Sequence, residues 1–263
     1  MPDPVGYDVQ AQVATIRLER PDAMNSLDTA TKNALLSALQ RAATDEDVRC
    51  VVLTGSGRAF CVGQDLREHV EHLTHQSLDE VWATVDEHYT PIAMAIATME
   101  KPVIAAINGV AAGAGMSIAL ACDWRVAADR ASFTTAFIGV GLSCDTGMSW
   151  TLPRVVGQTK AMELLLWPRS VDAAEALEIG LVNWVFPADR LAVEVAAIAA
   201  RLAAGPTLAF AAIKESVRCA ASHSLEESLA FESRLMARTG GSEDHRSAVA
   251  SFVAKQKPTF EGR

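Results

Sequence analysis

The sequence predicts an α/β fold that is followed by a helical C-terminal region. Three successive stretches of the chain run from an apolar strand through a turn into a helical pattern. These stretches are residues 13–43, 48–98 and 103–121. From Thr146 onward strand patterns nearly vanish, apart from residues 181–186. We therefore divide the chain into an α/β core over residues 1–196 and a helical region over residues 197–263.

The first half of the chain carries clear strand and helix patterns. Residues 14–18 alternate apolar and polar side chains, which is typical of a half-buried strand. Residues 28–43 place leucines on one face, which predicts a helix. Residues 50–53 are continuously apolar and indicate a strand that is covered on both sides. Residues 78–98 again show helical spacing. Two short strands are expected at 124–127 and 132–135.

The C-terminal third is predicted to be helical throughout. The expected helices are residues 187–203, 206–221, 225–237 and 243–255. Ser224 and Glu227 have the spacing of a capping box, in which each side chain accepts from the other residue's backbone N–H. Residues 103–121 carry no charge and are long enough to suggest a membrane span. Their alanines and glycines, with Asn108 and Ser117, favour a buried strand, turn and helix instead.

The composition bounds the function. The chain has 263 residues, of which 50% are hydrophobic and 21% charged, so it can build a sizeable core as one large domain. The net charge is −9, and no long basic run occurs. This balance argues against nucleic-acid binding, because such binding needs a basic surface. An anionic ligand would need a local basic or helix-terminal site.

The cysteines indicate a reducing compartment. There are five of them, an odd number, and no pair has CxxC spacing. They are Cys50, Cys61, Cys122, Cys144 and Cys219. The start at Met1–Pro4 lacks a basic segment that leads into an apolar one, so we expect no signal peptide. The expected location is the cytoplasm.

Three common types of site are disfavoured. His69, His72 and His75 lie close in sequence, but no cysteine or carboxylate cluster completes a metal site, so none is expected. The glycine pairs after two predicted strands lack the third glycine of a dinucleotide loop. Ser117 lies in a near match to the GxSxG motif, but it falls well past the strand end that a nucleophile elbow requires.

Two loops with small residues carry more information. Gly63-Gln64 and Gly113-Ala114-Gly115 each follow a predicted strand. Small residues there let backbone N–H groups approach a ligand, and the second loop leads into a helix N-terminus with unpaired donors. Two such N–H groups aimed at one carbonyl oxygen would form an oxyanion hole. Simple close packing is the alternative explanation.

Eight motifs spread along the chain make a family resemblance. They lie at residues 20–27, 59–66, 101–109, 113–115, 122–123, 152–157, 173–182 and 252–260. Together they resemble the enoyl-CoA hydratase/isomerase family, also called the crotonase family, over nearly the whole chain. The resemblance implies a crotonase-type spiral of repeated strand-strand-helix units, with a helical C-terminal region that packs between subunits. It also implies a homotrimer or a dimer of trimers.

The resemblance assigns the oxyanion hole to the backbone N–H groups of Gln64 and Ala114. The family usually has glycine at the position of Ala114, which keeps the N–H but adds a methyl group. Hydratases of the family carry two catalytic glutamates. Those positions match Ser117 and Phe137 here, and neither side chain can act as a carboxylate base. Hydration by the paired-glutamate route is therefore not expected.

Asp145 is the expected acid/base. Its surroundings are similar to members that act as enoyl-CoA isomerases, including the ring-epoxide isomerase of phenylacetate breakdown. In these members an aspartate at this position moves a proton. The alternative is that Asp145 caps a helix that begins at Thr146. In the dehalogenase branch of the family this aspartate is a nucleophile, but that branch also has a histidine and a tryptophan, which match Thr90 and Phe137 here.

The substrate is expected to contact two short segments and a few further side chains. The coenzyme A part is placed along Gln64–Arg67 and the turn Ala23–Leu27. The candidate substrate-binding residues are Ala23, Met24, Asp65, Leu66, Arg67, Phe137 and Lys101. Arg20, Lys101 and Lys255 are possible phosphate partners, and each is equally readable as a solvated charge.

The expected reaction moves a double bond from a 3-enoyl-CoA to a 2-enoyl-CoA through an enolate. The alternatives are an enoyl-CoA hydratase with a non-standard site and a non-catalytic acyl-CoA-binding protein. Coenzyme A would be part of the substrate, so no separate cofactor is expected. Nucleic acid and membrane partners are not expected either.

Overall fold

A computed structural model describes residues 3–262, so Met1 and Pro2 of the expected N-terminus lie outside it. The strands are β1 Val5–Gln10, β2 Val13–Leu18, β3 Cys50–Gly55, β4 Ala59–Cys61, β5 Val103–Ile107, β6 Val110–Ala112, β7 Trp124–Ala128, β8 Ser132–Thr134, β9 Val171–Asp172 and β10 Trp184–Phe186. The helices of the first part are α1 Thr29–Thr44, α2 Leu66–His75, α3 Leu78–Thr84, α4 Thr90–Ala97 and α5 Ala114–Ala121. Those of the second part are α6 Met148–Val156, α7 Gln158–Leu166, α8 Ala173–Glu178, α9 Leu191–Ala203, α10 Thr207–Ala220, α11 Leu225–Gly240 and α12 Glu243–Val253.

The strands form two sheets. The larger has the order β1-β2-β3-β5-β7-β10, and it is parallel except for the β1–β2 hairpin. The smaller has the order β4-β6-β8-β9, and it is parallel except between β8 and β9. The chain enters the larger sheet, crosses to the smaller one and returns through helices. This is the predicted α/β spiral of strand-strand-helix units, and it is confirmed.

The helix termini follow local sequence signals. The Asp28 carboxylate accepts a hydrogen bond from the N–H of Thr31 and caps α1. The helix begins at Thr29, one residue later than predicted. Ser224 and Glu227 form the predicted capping box at the start of α11. Helix α9 begins at Leu191 instead of the predicted 187. The strand expected over 181–186 is shorter, and only Trp184–Phe186 pair with β7.

Helix α9 packs on the core. Leu191, Val195, Ala199 and Ala203 are buried against the larger sheet. A boundary at residue 196 therefore falls inside a helix that covers this sheet.

The helical stretch predicted at 78–98 contains a π-helical turn. Residues Val85–Tyr89 form this turn between α3 and α4, and the N–H of Thr90 donates to the carbonyl of Val85. Such turns carry one residue more than an α-helical turn and often occur at functional sites. The turn ends on Tyr89, which is 2% exposed.

The main apolar core lies between the two sheets and the helices that connect them. Strands β2 and β3 and helices α1 and α4 contribute branched apolar side chains to it, including Ile16, Leu35, Leu39, Leu53 and Ile92. Residues 103–121, which are uncharged in sequence, form β5, β6 and α5 inside this core. The strand, turn and helix predicted there are thus present.

Large apolar side chains are exposed on the last three helices. They include Ile213, Val217, Leu225, Leu229, Met236 and Phe252, each more than half exposed. Within residues 3–262, no single helix has the length and apolar character needed to cross a membrane. The pair α9 and α10, bent by 98°, meets the length and composition requirement together.

Candidate functional site

The two glycine-containing loops meet at one edge of the smaller sheet. Strands β4 and β6 are parallel neighbours, with Cys61 opposite Ala111. Their carboxyl ends therefore lie side by side, and the chain leaves them through Gly63-Gln64 and Gly113-Ala114. A Cβ built on Gly63 would stand 3.1 Å from the backbone nitrogen of Ala114. The structure thus places the two predicted donor segments side by side.

The backbone of Gln64 is held by pairing with Leu27. The N–H of Leu27 donates to the Gly63 carbonyl over 2.8 Å, and the N–H of Asp65 donates to the Leu27 carbonyl over 3.1 Å. Because these bonds come from the residues on either side, the N–H of Gln64 points away from Leu27. This N–H finds no acceptor among residues 3–262.

Ala114 is the first residue of α5. Its N–H belongs to the first turn, so it has no carbonyl partner within the helix. Gly113 turns the chain from β6 into this helix with φ of 51°, a conformation that favours glycine. The partial positive charge of the helix N-terminus adds to the attraction for a negative oxygen. Together with Gln64, this supplies the two donors that an oxyanion hole needs.

Ser117 lies inside the same helix and has a structural role. It is fully buried, and its hydroxyl donates to the Gly113 carbonyl over 3.3 Å. Gly115 lets the helix pack on β4, because a Cβ there would stand 2.2 Å from the Cys61 carbonyl oxygen. Where hydratases carry their first glutamate, this chain therefore has a hydroxyl that is already bonded to the backbone.

Asp145 lies in the segment before α6 and does not cap that helix. The helix begins at Met148, its N-cap is Gly147, and no side chain caps it. The cap interpretation of Asp145 is therefore wrong, because Thr146 and Gly147 both have positive φ and break the helix before it starts. The Asp145 carboxylate instead accepts the Thr146 hydroxyl over 2.7 Å.

Burial raises the pKa of the Asp145 carboxyl above its ordinary value. The Thr146 hydrogen bond and the charge of Lys32 act in the opposite direction but do not cancel this effect. A carboxylate that is partly desolvated is a stronger base than one in water. The direction of this pKa shift favours the proton-transfer role predicted for Asp145.

Two buried groups, Tyr89 and Lys32, bond the Gln64 side chain and also interact electrostatically with Asp145. The Tyr89 hydroxyl donates to Gln64 Oε1 over 2.5 Å, and the Lys32 ammonium donates to the same oxygen over 3.3 Å. Asp145 interacts electrostatically with both Tyr89 and Lys32. The charge of the predicted base therefore acts on the two groups that hold the side chain of Gln64.

The comparison with known proteins decides the family. A family model described as enoyl-CoA hydratase/isomerase matches residues 8–263. The chain belongs to the enoyl-CoA hydratase/isomerase family.

Individual relatives within this family have different names. A Rhodobacter capsulatus protein, named as a probable enoyl-CoA hydratase, is 41% identical over 98% of both chains. The 1,2-epoxyphenylacetyl-CoA isomerase of Escherichia coli is 37% identical over 97% of both chains. A crystal structure of a member from Mycobacterium abscessus has a TM-score of 0.94 at 44% identity, covering 98% of this chain and all of that one. The fold is therefore that of the crotonase enzymes, while the names of the relatives include hydratases, an isomerase and dehalogenases.

In this family member the two segments predicted to hold coenzyme A are neighbours. The turn Ala23–Leu27 touches the segment Gln64–Arg67 through the Leu27 pairing. Ala23 and Met24 are half-buried, while Leu66 and Arg67 are exposed. These four residues remain candidates for substrate contact.

Asp65 has a structural role. Its carboxylate accepts from Arg20 over 2.9 Å and from the Ser26 hydroxyl over 3.0 Å, and it also caps α2. Burial by itself raises the pKa of Asp65, but these hydrogen bonds outweigh it and hold the pKa below its ordinary value. The Arg20 guanidinium also bonds Asp28 over 3.0 Å. The side chains of Asp65 and Arg20 are therefore occupied within the protein.

Lys101 lies away from the other candidates. It stands just before β5, whereas the two loops follow the carboxyl ends of β4 and β6. Its ammonium donates to the carbonyls of Ala42 and Asp45 over 2.7 and 2.5 Å. We therefore leave Lys101 out of the proposed site. Lys255 is exposed near the C-terminus, with φ of 56°.

Phe137 begins a short 3₁₀ helix, Phe137–Val140, and packs against the main core. By the family resemblance it matches the position of the second glutamate of hydratases, and its side chain is apolar. Within residues 3–262, no group of three histidines, cysteines or acidic residues could hold a metal ion. His69, His72 and His75 all lie on or at the end of α2.

Sequence reasoning missed Lys32 and Tyr89. Lys32 is 1% exposed and lies on the buried face of α1, three residues before Leu35 and seven before Leu39. A lysine at this spacing within an apolar stripe was the available signal. Tyr89 had no comparable signal, because its direction depends on the π-helical turn.

Proposed function

We propose that the protein is an enoyl-CoA isomerase that converts a 3-enoyl-CoA into a 2-enoyl-CoA. The observations that carry the proposal are two neighbouring backbone N–H groups, at Gln64 and Ala114, and a half-buried carboxylate, Asp145, whose pKa is raised by burial. Ser117 and Phe137 stand where a hydratase needs glutamates. Moving a double bond requires one group to take and return a proton, whereas adding water also requires a group to hold the water.

The proposed reaction has two proton transfers. The thioester oxygen accepts hydrogen bonds from the N–H groups of Gln64 and Ala114. Asp145 takes a proton from C2, and the electron pair of the C–H bond forms the enolate. The enolate then takes the proton back from Asp145 at C4, which leaves the double bond between C2 and C3. Atoms and charge balance with no further reactant.

Most of the barrier reduction is assigned to the hole. A carboxylate is a weak base for a carbon acid, so stabilising the enolate matters more than the strength of Asp145. Loss of one hole donor costs about 3 kcal/mol in comparable sites. The coenzyme A part is proposed to lie along Gln64–Arg67 and Ala23–Leu27, with Phe137 beside the acyl chain.

The test is direct turnover. Purified protein is incubated with a 3-enoyl-CoA, and the conjugated product is followed by its ultraviolet absorbance. Asp145→Asn should lower kcat by about a hundredfold or more, the usual range for loss of a general acid/base. Asp189→Asn, at an exposed position, is the control and should match the wild type. Full activity in Asp145→Asn would reject the assignment.

Two alternatives are separated by the same protein sample. Loss of conjugation from a 2-enoyl-CoA would favour a hydratase with a non-standard site. Tight binding of both substrates without turnover would favour a non-catalytic acyl-CoA-binding protein.

We further propose that the protein acts in the cytoplasm as a homotrimer or a dimer of trimers, which the exposed apolar faces of α10 to α12 support.

A further inference from the structure

A cluster of buried polar groups lies directly behind Gln64. Lys32 comes from α1, and Thr84 and Tyr89 come from either end of the π-helical turn. The Lys32 ammonium donates to the Thr84 hydroxyl over 2.6 Å and to Gln64 Oε1 over 3.3 Å. Its distance to the centre of the Tyr89 ring is 5.3 Å. The cluster therefore consists of one cation and three polar side chains.

The cluster fixes the side chain of Gln64. Its Oε1 accepts from both Tyr89 and Lys32, so the orientation of the amide is determined by two donors. The backbone of the same residue is held by Leu27. Main chain and side chain of Gln64 are thus anchored independently, and the side-chain anchor is a charged group.

The carboxylates that act on the Lys32 charge lie beyond ion-pair distance. Among residues 3–262 no carboxylate forms an ion pair with it within 4.0 Å. An ammonium buried in this way costs folding free energy, and an apolar side chain of similar length would avoid that cost. The position therefore has a role other than stability.

The charged and titratable groups around Lys32 come from every neighbouring element. They are Glu68 and His69 on α2, Asp28 at the start of α1, His88 and Tyr89 in the π-helical turn, and Asp145 before α6. Lys32 is the one charged side chain that acts on Asp145 within the described part of the chain. Asp28 is already paired with Arg20, and Glu68 accepts the N–H of Thr29. Within the described part of the chain Glu68 and Asp145 both lack an ion pair, and of these two carboxylates Asp145 is the one proposed to transfer a proton.

We propose that Lys32 is a positioning residue of this active site, whose buried charge supports negative charge on Asp145 and on the oxygen held at Gln64. The inference rests on the proposed function. A positive charge that bonds Gln64 and acts electrostatically on Asp145 favours the carboxylate before proton transfer and the enolate after it. Lys32 acts through Gln64 and Asp145 and does not itself exchange a proton with the substrate.

The test compares the pH dependence of kcat/KM. Lys32→Met removes the positive charge, so the Asp145 carboxyl should keep its proton up to a higher pH. The acid limb of the kcat/KM profile, where activity rises as the base ionises, should therefore move to higher pH. At neutral pH, kcat should fall at least about tenfold, with KM within about twofold of the wild type. Lys214→Met is the control, because it removes another partly buried lysine that pairs with Asp123 over 2.6 Å, far along the chain from this cluster. Its acid limb should stay in place.

Tyr89→Phe separates charge from packing. It removes a hydrogen bond to the same Gln64 oxygen but keeps the ammonium, so its acid limb should match that of the wild type. An equal shift in Tyr89→Phe and Lys32→Met, or an unchanged limb in Lys32→Met, would overturn the inference.

A second variant covers poor folding. If Lys32→Met does not fold, Thr84→Val takes away the ammonium's 2.6 Å hydrogen bond and should give a smaller shift in the same direction. An unmoved limb in that variant would also overturn the inference. Failure of the proposed function is distinguishable, because it would appear as wild-type protein without turnover.

Discussion

The Thr146 hydroxyl donates a hydrogen bond to the Asp145 carboxylate over 2.7 Å, from a backbone with φ of 53°. A β-branched residue rarely adopts this left-handed conformation, which costs of order 1–3 kcal/mol. Thr146 is 4% exposed, so the surrounding structure holds it in place. Backbone strain is therefore present at the residue that orients the proposed base.

This contact leads to a prediction about pH. Thr146→Ala removes a donor that favours the charged form of Asp145, so the carboxyl pKa should rise further. The acid limb of kcat/KM should move to higher pH. Thr146→Ser keeps the hydroxyl and should leave the limb where it is in the wild type. The pH dependence of kcat/KM is measured for both variants. Identical acid limbs in Thr146→Ala and Thr146→Ser would contradict the role of the Thr146 hydroxyl.

The second prediction deletes one hole donor without disturbing the helix. Ala114 is the first residue of α5, a position that proline favours because its N–H has no helical partner. Ala114→Pro should keep the fold and lower kcat by about 10²- to 10³-fold. Ala114→Gly retains the N–H and should stay active. Circular dichroism checks the fold, and a folded, fully active proline variant would exclude this amide from catalysis.

The third prediction concerns packing beneath the hole. Gly115→Ala would place a Cβ 2.2 Å from the Cys61 carbonyl oxygen, so α5 must move away from β4. We expect a loss of about 1–3 kcal/mol or more in the free energy of unfolding, measured in urea. Gly139→Ala is the matched control, because nothing lies within 4 Å of its Cβ position. Equal stability of the two variants would refute the close packing.

The fourth prediction separates stability from activity. The folded pKa of Asp145 lies above its ordinary value, so ionisation of this carboxyl destabilises the folded state. The cost is absent at low pH, where the carboxyl is protonated in both the folded and the unfolded state. It grows as pH rises above the unfolded pKa and is complete above the folded pKa. Asp145→Asn should therefore melt at higher temperature than the wild type near neutral pH. The difference should shrink toward about pH 4, and calorimetry across pH would detect a reversal of this trend.

Much of the fold could be predicted because its signals are local. The buried strand β3, the leucine stripe of α1 and the capping box at Ser224 each depend on a few consecutive residues. The two hole segments were also local, since small residues after strands mark the carboxyl ends of a sheet. Family resemblance then supplied the importance of Asp145.

The rest depends on contacts between distant parts of the chain. Leu27 pairs with Gln64, and Lys32 and Tyr89 meet on the same Gln64 oxygen, although these residues are 25 to 37 positions apart. No spacing rule reports such meetings. The start of α6 was misplaced for another reason: the residue type of Thr146 does not reveal its left-handed backbone.

The π-helical turn determines the direction of the Tyr89 side chain. Adding or removing one residue in an α-helix rotates everything after it by about 100°. Shortening Val85–Tyr89 by a single residue would therefore either rotate α4 relative to the core or turn the tyrosine hydroxyl away from Gln64. The length of this one turn thus decides whether the tyrosine and the helix after it can both keep their contacts.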